Sequence, residues 1–273
     1  MKVNLFDTNF AHESGASGSN VPKIMEYERN NYTYSGTTLF TDQKIFDGTV
    51  DKVTSDKKVA WLLEPPAISP SNYINIHDVI HKFDALITFD STLLSQYSNK
   101  AYLAPAGGVW IQDWKNYKLG EKGLKLISII NSNKNITEGH KLRPVMAEKA
   151  FVEKYGSGAG NPIDKKEEGL TNYLFSLAIE NSKIDNYFSE KLLDCFATST
   201  IPIYWGCPNI GNFFNTEGMI ILDNPNNFDL EYINRNHAQI YKSKKSAIIE
   251  NFEKAKEYQI IDDWICTNIL EKI

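Results

Sequence analysis

No run of apolar residues in this 273-residue chain approaches the roughly 18 needed to cross a bilayer. Met1 to Phe10 alternates apolar and polar residues, without the basic start and apolar stretch of a secretion signal. Cysteine is scarce: Cys195, Cys207 and Cys266 are an odd number at wide spacing, which argues against both a disulfide framework and a zinc knuckle. A cytoplasmic protein in a reducing compartment is expected, in which the sequons at Asn31 and Asn135 would be idle. Positive charge is not in excess either. With 29 Lys and Arg against 34 Asp and Glu the formal net charge is -5, and the lysines are dispersed among acidic residues. Such a chain has no broad field to hold a phosphate backbone, so nucleic acid is not an expected partner, although a local anion pocket stays open. Internal repeats and low-complexity tracts are absent.

What is present is the composition of an ordinary globular protein, 42% apolar and 12% aromatic. Short apolar runs bounded by turn residues read as buried strands at Val3 to Phe6, Thr38 to Phe40, Val59 to Leu63, Ala85 to Phe89 and Ala101 to Leu103. Ile74 to Phe83 and Ser91 to Tyr97 read as helices between them. The alternation predicts an α/β layer structure with a largely parallel sheet. From Asp113 to Lys125 the chain turns polar and charged around Gly120 and Gly123, and a domain boundary is expected there. A second alternation follows, with strands at Leu126 to Ile130, Tyr173 to Ile179, Ile201 to Trp205 and Met219 to Leu222. Leu142 to Phe151 is expected to be helical with Pro144 in its first turn, and Ser189 to Thr198 is expected to form another helix. Tyr241, Ile248, Phe252 and Ala255 recur on one face of an amphipathic helix, and Trp264 to Ile269 could form a last one.

The segment from Tyr173 to Gly206 carries the most chemistry. A strand ends in Glu180-Asn181-Ser182, a loop passes Asp185, Asn186 and Tyr187, and Ser189 stands where it would cap the helix that begins with Glu190 and Lys191. A helix N-terminus offers free N–H groups and partial positive charge, a seat for phosphate. Lys191 adds a full charge there, unfavourable unless an anion or a carboxylate answers it, and Glu190 could accept from a sugar diol. The same residues are also accounted for, and on this pattern alone more simply, by a plain cap with Glu190 and Lys191 in solvent.

The run ENSKIDNYFSEKLLDCFATSTIPIYWG, with Pro208 two residues on, resembles the donor-binding motif of the family 10 glycosyltransferases, the α1,3/α1,4-fucosyltransferases, and is most similar to the bacterial members. The similarity is strongest over about 35 residues and weaker upstream to Arg143 and downstream to Phe213 and Phe214. The resemblance implies a GT-B-like fold, two Rossmann-like α/β domains facing a cleft. On that basis residues 1–122 are expected to bind the acceptor and 123–256 the nucleotide sugar, with 257–273 packing back on the first domain. It implies that Glu190 holds the donor ribose and Lys191 the diphosphate, that Asn181 and Tyr187 line the donor pocket, and that Arg143 contacts the phosphates. Read alone, Arg143 beside Pro144 could be a surface residue at a helix start.

In the family the proposed general base is a carboxylate at a strand end followed by Ser-Pro, which implies Glu64, before Pro65-Pro66 and Ser69-Pro70. A carboxylate emerging from buried surroundings could have the raised pKa a base needs, and an exposed loop before two prolines is the other reading. The implied reaction is inverting transfer of fucose from GDP-fucose to a glycan hydroxyl. Alternatives are the same chemistry with another nucleotide sugar, or a non-catalytic protein that binds glycans or nucleotide sugars. No metal site or cofactor is expected: a D-x-D motif is missing, and His77 and His81, though four apart, have no further ligand at zinc spacing. Stimulation by Mn2+ or Mg2+ stays open. His12 in a Gly/Ser-rich stretch and the glycines from Gly156 to Gly160 are too loosely patterned to name as ligand loops.

Overall fold

β-Branched and aromatic residues between polar turns set the strands, which the computed structural model arranges in two parallel sheets. The structure describes residues 1–8, 15–18, 20–112 and 125–273. His12, Gly120, Gly123 and the expected boundary between 122 and 123 lie outside the described residues. Two units emerge, one of Met1–Gly108, Asp185–Tyr187 and Tyr258–Ile273, the other of Val109–Ile184 and Phe188–Glu257.

The first unit holds strands β1 (Lys2–Phe6), β2 (Glu26–Arg29), β3 (Thr37–Thr41), β4 (Lys57–Trp61), β5 (Ala85–Thr88) and β6 (Ala101–Leu103) in the order β2-β1-β3-β4-β5-β6. Helices α1 (Pro70–Val79) and α2 (Ser91–Gln96) connect them. Helix α1 starts four residues before the expected Ile74, with Pro70 in the first turn, where a missing N–H costs nothing. Strand β2, EYER, is absent from the sequence expectation. It is a half-buried edge strand whose charged residues carry no apolar signal. Phe6, Phe40, Ala60, Ile76, Phe83 and Leu86 make up much of the core. The last helix, α7 (Ile261–Asn268), is tied to this unit by two carboxylates. Asp262 Oδ1 accepts from the Ala16 N–H and the Tyr27 hydroxyl, both at 2.7 Å, and Asp263 Oδ1 accepts from the N–H groups of Lys23, Ile24 and Met25 at 2.9 to 3.1 Å.

The second unit holds β7 (Lys125–Ile130), β8 (Val152–Tyr155), β9 (Tyr173–Ile179), β10 (Ile201–Trp205) and β11 (Ile220–Ile221) in the order β11-β10-β9-β7-β8. Its helices are α3 (Glu138–Ala147), α4 (Glu190–Ala197), α5 (Leu230–Ser243) and α6 (Lys245–Ala255). The expected helix from Leu142 to Phe151 is displaced. Helix α3 begins at Glu138, Pro144 is its seventh residue, and the chain leaves it through Phe151 at φ +68° into β8. A cap five residues before Leu142 fixes the start: Thr137 Oγ1 accepts from the His140 N–H at 3.3 Å, and His140 Nδ1 accepts from the Thr137 N–H at 3.3 Å. This closure and the burial of Met146 and Ala147 offset the hydrogen bond that Pro144 removes. Among the described residues no helix is long and apolar enough to cross a membrane.

Candidate active site

The second sheet reverses its strand order between β7 and β9, since β8 lies on one side of β7 and β9 to β11 lie on the other. At such a switch point the loops leaving the strand ends splay apart, which is where open α/β sheets bind ligands. A cavity of about 340 Å³ opens there. Asn131, Ser132 and Lys134 after β7, Gly156 and Ser157 after β8, and Asn181 after β9 line it together with faces of α3 and α4. The loop after β8 closes on the loop after β7 because Gly156, at φ +92°, has no side chain: a Cβ there would stand 2.4 Å from the Asn131 carbonyl oxygen.

Helix α3 presses against the end of β9. A Cβ on Gly139 would lie 1.7 Å from the Glu180 carbonyl oxygen. One turn on, the same face carries Arg143, only 4% exposed, which donates Nε and Nη2 to the Ile179 carbonyl at 3.0 and 2.8 Å and Nη2 to Asn181 Oδ1 at 2.7 Å. Arg143 is therefore buried, and its reading as a surface residue is overturned. Gly139→Ala is expected to lever α3 off β9, because backbone cannot rotate away as a side chain can. A loss of about 1–3 kcal/mol is expected, the scale of overpacking, read as a fall in unfolding free energy in urea. Wild-type stability would mean that α3 approaches β9 less closely than this.

Helix α4 is held by Glu180, which is fully buried at the end of β9. Glu180 Oε1 accepts from the Ser189 N–H at 2.9 Å and Oε2 from the Ser189 hydroxyl at 2.6 Å. Ser189 in turn caps the helix by accepting from the Lys191 N–H at 3.4 Å. Lys191 Nζ donates to Glu190 Oε1 at 2.8 Å and stands 3.9 Å from Glu180 Oε2, so carboxylates answer the charge in the first turn. Lys166 Nζ lies 3.4 Å from Glu190 and 3.1 Å from Asp194, over the Trp110 ring at 4.4 Å from its centroid. Asp194 also accepts from the Trp110 N–H at 2.7 Å.

Charge in the cavity is unbalanced towards cations: Lys134, Arg143, Lys166 and Lys191 against Glu190 and Asp194. Burial pushes the Glu190 carboxyl up, but Lys191 and Lys166 carry it well below the usual carboxylate range. Burial dominates at Asp194, raised to about 6. His140 is lowered to about 4, first by burial and then by Arg143, Lys134 and Lys191. Neutral in the fold and protonated near pH 6.5 when unfolded, His140 contributes stability that is lost as pH falls from about 6.5 to 4. An anion bound beside Arg143 and Lys191 would cancel part of that field. Adding a nucleoside diphosphate is expected to raise the His140 pKa, measured by NMR titration of the ring, and an unmoved pKa would place the anion elsewhere.

The model of glycosyltransferase family 10 (fucosyltransferase), C-terminal region, matches residues 121–265, more than half of the chain. The chain belongs to glycosyltransferase family 10. Its similarity to the α-(1,3)-fucosyltransferase of Helicobacter pylori is 36% identity over 80 residues, 29% of this chain and 17% of that protein. To the α-(1,4)-fucosyltransferase of Arabidopsis thaliana it is 35% over 51 residues, 19% of this chain and 13% of that protein. The match thus spans less than a fifth of either curated relative. A crystal structure of an α1,3-fucosyltransferase with GDP-fucose superposes with a TM-score of 0.56 at 17% identity, covering 94% of this chain and 88% of the other. An α-glucosyltransferase solved with UDP and DNA gives 0.53 at 12% identity, covering 86% and 78%. At these identities the likeness concerns the fold, and it bears out the expected GT-B-like α/β class.

The family 10 segment brings Arg143, Asn181, Glu190 and Lys191 to one cavity. Tyr187 is not in its lining. It belongs to the first unit, 2% exposed, with its ring 4.9 Å from that of Phe89, while Asn186 Nδ2 donates to the Phe89 carbonyl at 3.1 Å. Glu64 also lies in the first unit, half-buried, three residues past β4. The cavity adds residues that motif reading passed over: Trp110, Asn131, Ser157, Lys166 and Asp194. Among the described residues Asn131 Oδ1 is buried with no hydrogen-bond partner, an acceptor left for a ligand N–H or O–H. Among the described residues no group of three or more His, Cys, Asp and Glu side chains could hold a metal ion, and His77 Nδ1 meets the Tyr97 hydroxyl at 2.6 Å.

Proposed function

We propose that this chain is an inverting glycosyltransferase that moves fucose from GDP-fucose to a hydroxyl of a glycan. The observation that carries the reading is the cation-rich cavity at the β7/β9 switch point, built from the segment that places the chain in family 10. In this reading Glu190, held ionised, accepts from the ribose hydroxyls. Arg143, Lys191 and the start of α4 meet the charge growing on the departing diphosphate. The acceptor oxygen bonds to the anomeric carbon as the bond from that carbon to the phosphate oxygen breaks. Glu64 takes the acceptor proton and GDP leaves. No covalent intermediate on the enzyme is needed, and the anomeric configuration inverts.

With four cations lining the cavity, transfer is expected to persist in EDTA, with Mn2+ or Mg2+ stimulating it at most. Complete loss in EDTA, restored by metal, would overturn this. A cytoplasmic site of action belongs to this reading, the three cysteines being odd in number, widely spaced and buried.

A thermal-shift panel of GDP, UDP, ADP, CMP, GDP-fucose and GDP-mannose tests the donor. A ligand at 100 times its Kd adds about 2.7 kcal/mol to stability, enough to move the midpoint visibly. Selective stabilisation by GDP and GDP-fucose supports the reading. Selective stabilisation by UDP would keep the chemistry and change the donor, an alternative kept in view by the fold likeness to the UDP-bound α-glucosyltransferase. GDP-fucose binding without transfer to any glycan acceptor would leave a binding protein.

A further inference from the structure

The first sheet also reverses its order, between β1 and β3. Its strand ends carry Asp7 after β1, Asp42 after β3 and Glu64 past β4. Asp42 is 2% exposed and opens a turn of 3-10 helix, Asp42–Ile45, with φ at +40°, a left-handed backbone that side chains rarely adopt and that structures retain where its surroundings over-determine it. From that backbone Oδ1 reaches the next strand, accepting from the Leu63 N–H at 3.0 Å and the Glu64 N–H at 3.4 Å. These two peptides lie just beyond the ladder, whose last bond runs from the Leu62 N–H to the Ile87 carbonyl at 3.0 Å. On its other side the Glu64 carbonyl accepts from the Tyr73 hydroxyl of α1 at 2.8 Å. The Glu64 peptide is thus gripped at both its N–H and its C=O.

Among the described residues, charged and titratable groups stand around Asp42. Asp7 accepts from the Thr41 hydroxyl at 2.8 Å and has Arg29 at 3.6 Å, and Glu64 and the Tyr73 phenol lie on the other side. Burial raises Asp42 to about 7, and the negative charges of Glu64 and Asp7 act in the same direction, against the two N–H bonds.

We propose that Asp42 is the positioning residue for Glu64: its side-chain oxygen fixes the Leu63–Glu64 turn, and with it the point from which the Glu64 carboxylate meets the acceptor hydroxyl. The proposal rests on Glu64 as the base. Asp42→Asn keeps an oxygen acceptor for the two N–H groups, and Asp42→Ala removes it. In Asp42→Ala, kcat is expected to fall by about 10- to 100-fold, the scale of a misplaced catalytic group, while GDP affinity and the acceptor KM stay at their wild-type values. In Asp42→Asn most of kcat should return. Wild-type turnover in Asp42→Ala, or no recovery of kcat in Asp42→Asn, would overturn the proposal. A merely structural role would lower kcat and GDP affinity together in Asp42→Ala as the folded fraction falls, which also overturns it. Near-normal turnover in Glu64→Gln would defeat the base assignment itself, and is read separately.

Discussion

Glu64→Gln is expected to lower turnover by about 100-fold or more while GDP affinity keeps its wild-type value, the size of effect that loss of a general base produces. Gln matches Glu in shape but cannot take a proton from an attacking hydroxyl. Its placement should survive, because the peptide at this position is held by Asp42 and Tyr73 through backbone atoms that the substitution leaves alone. The residues lining the cavity at the β7/β9 switch point all belong to the second unit, so GDP affinity is expected to be insulated from a change past β4. The measurement is kcat with GDP-fucose and a glycan acceptor, paired with a GDP titration on the same preparation. Near-normal turnover would move the base elsewhere. A parallel loss of GDP affinity would mean that Glu64 serves donor binding.

Much of the cavity's frame was legible because its strands are short apolar runs closed by polar residues. Tyr173–Ile179 and Ile201–Trp205 appear with the expected bounds, and Ser189 caps α4 as its position before Glu190 suggested. Helix α3 misled because Pro144 is a strong local signal for a first turn. The cap that sets its true start pairs Thr137 with His140, a residue that is not the usual partner in such a box. Glu180 was visible as part of the E-N-S motif, yet its task, holding Ser189 and through it the first turn of α4, needs the fold to be seen. Trp110, Lys166 and Asp194 meet across 84 and 28 positions of sequence, and no local pattern announces such contacts. Asp42 is less legible still. Nothing in TDQKI marks a left-handed aspartate whose side chain reaches the following strand. The glycine at 156 was noticed but not interpretable, since its reason is the Asn131 carbonyl 2.4 Å from where its Cβ would be.

Lys191→Ala should weaken GDP binding by about 1.5–3 kcal/mol, roughly 10- to 100-fold in Kd, the worth of a charge-assisted hydrogen bond in a partly desolvated site. The fold should tolerate the change, because Glu180 still accepts from the Ser189 N–H and hydroxyl and the helix start stays capped. Glu190 keeps Lys166 at 3.4 Å, so it remains ionised at neutral pH and able to make the proposed ribose contact. In the proposed arrangement only the cation assigned to the diphosphate is then removed, which gives the substitution a signature beyond a general loss of affinity. If Lys191 acts on the terminal phosphate, the penalty must be larger for GDP than for GMP, and it must shrink as added salt screens the remaining attraction. An equal penalty for the two nucleotides would assign Lys191 to the α-phosphate or the ribose, and an unchanged Kd for GDP would remove it from the donor site, leaving Arg143 and Lys134 to carry the phosphates.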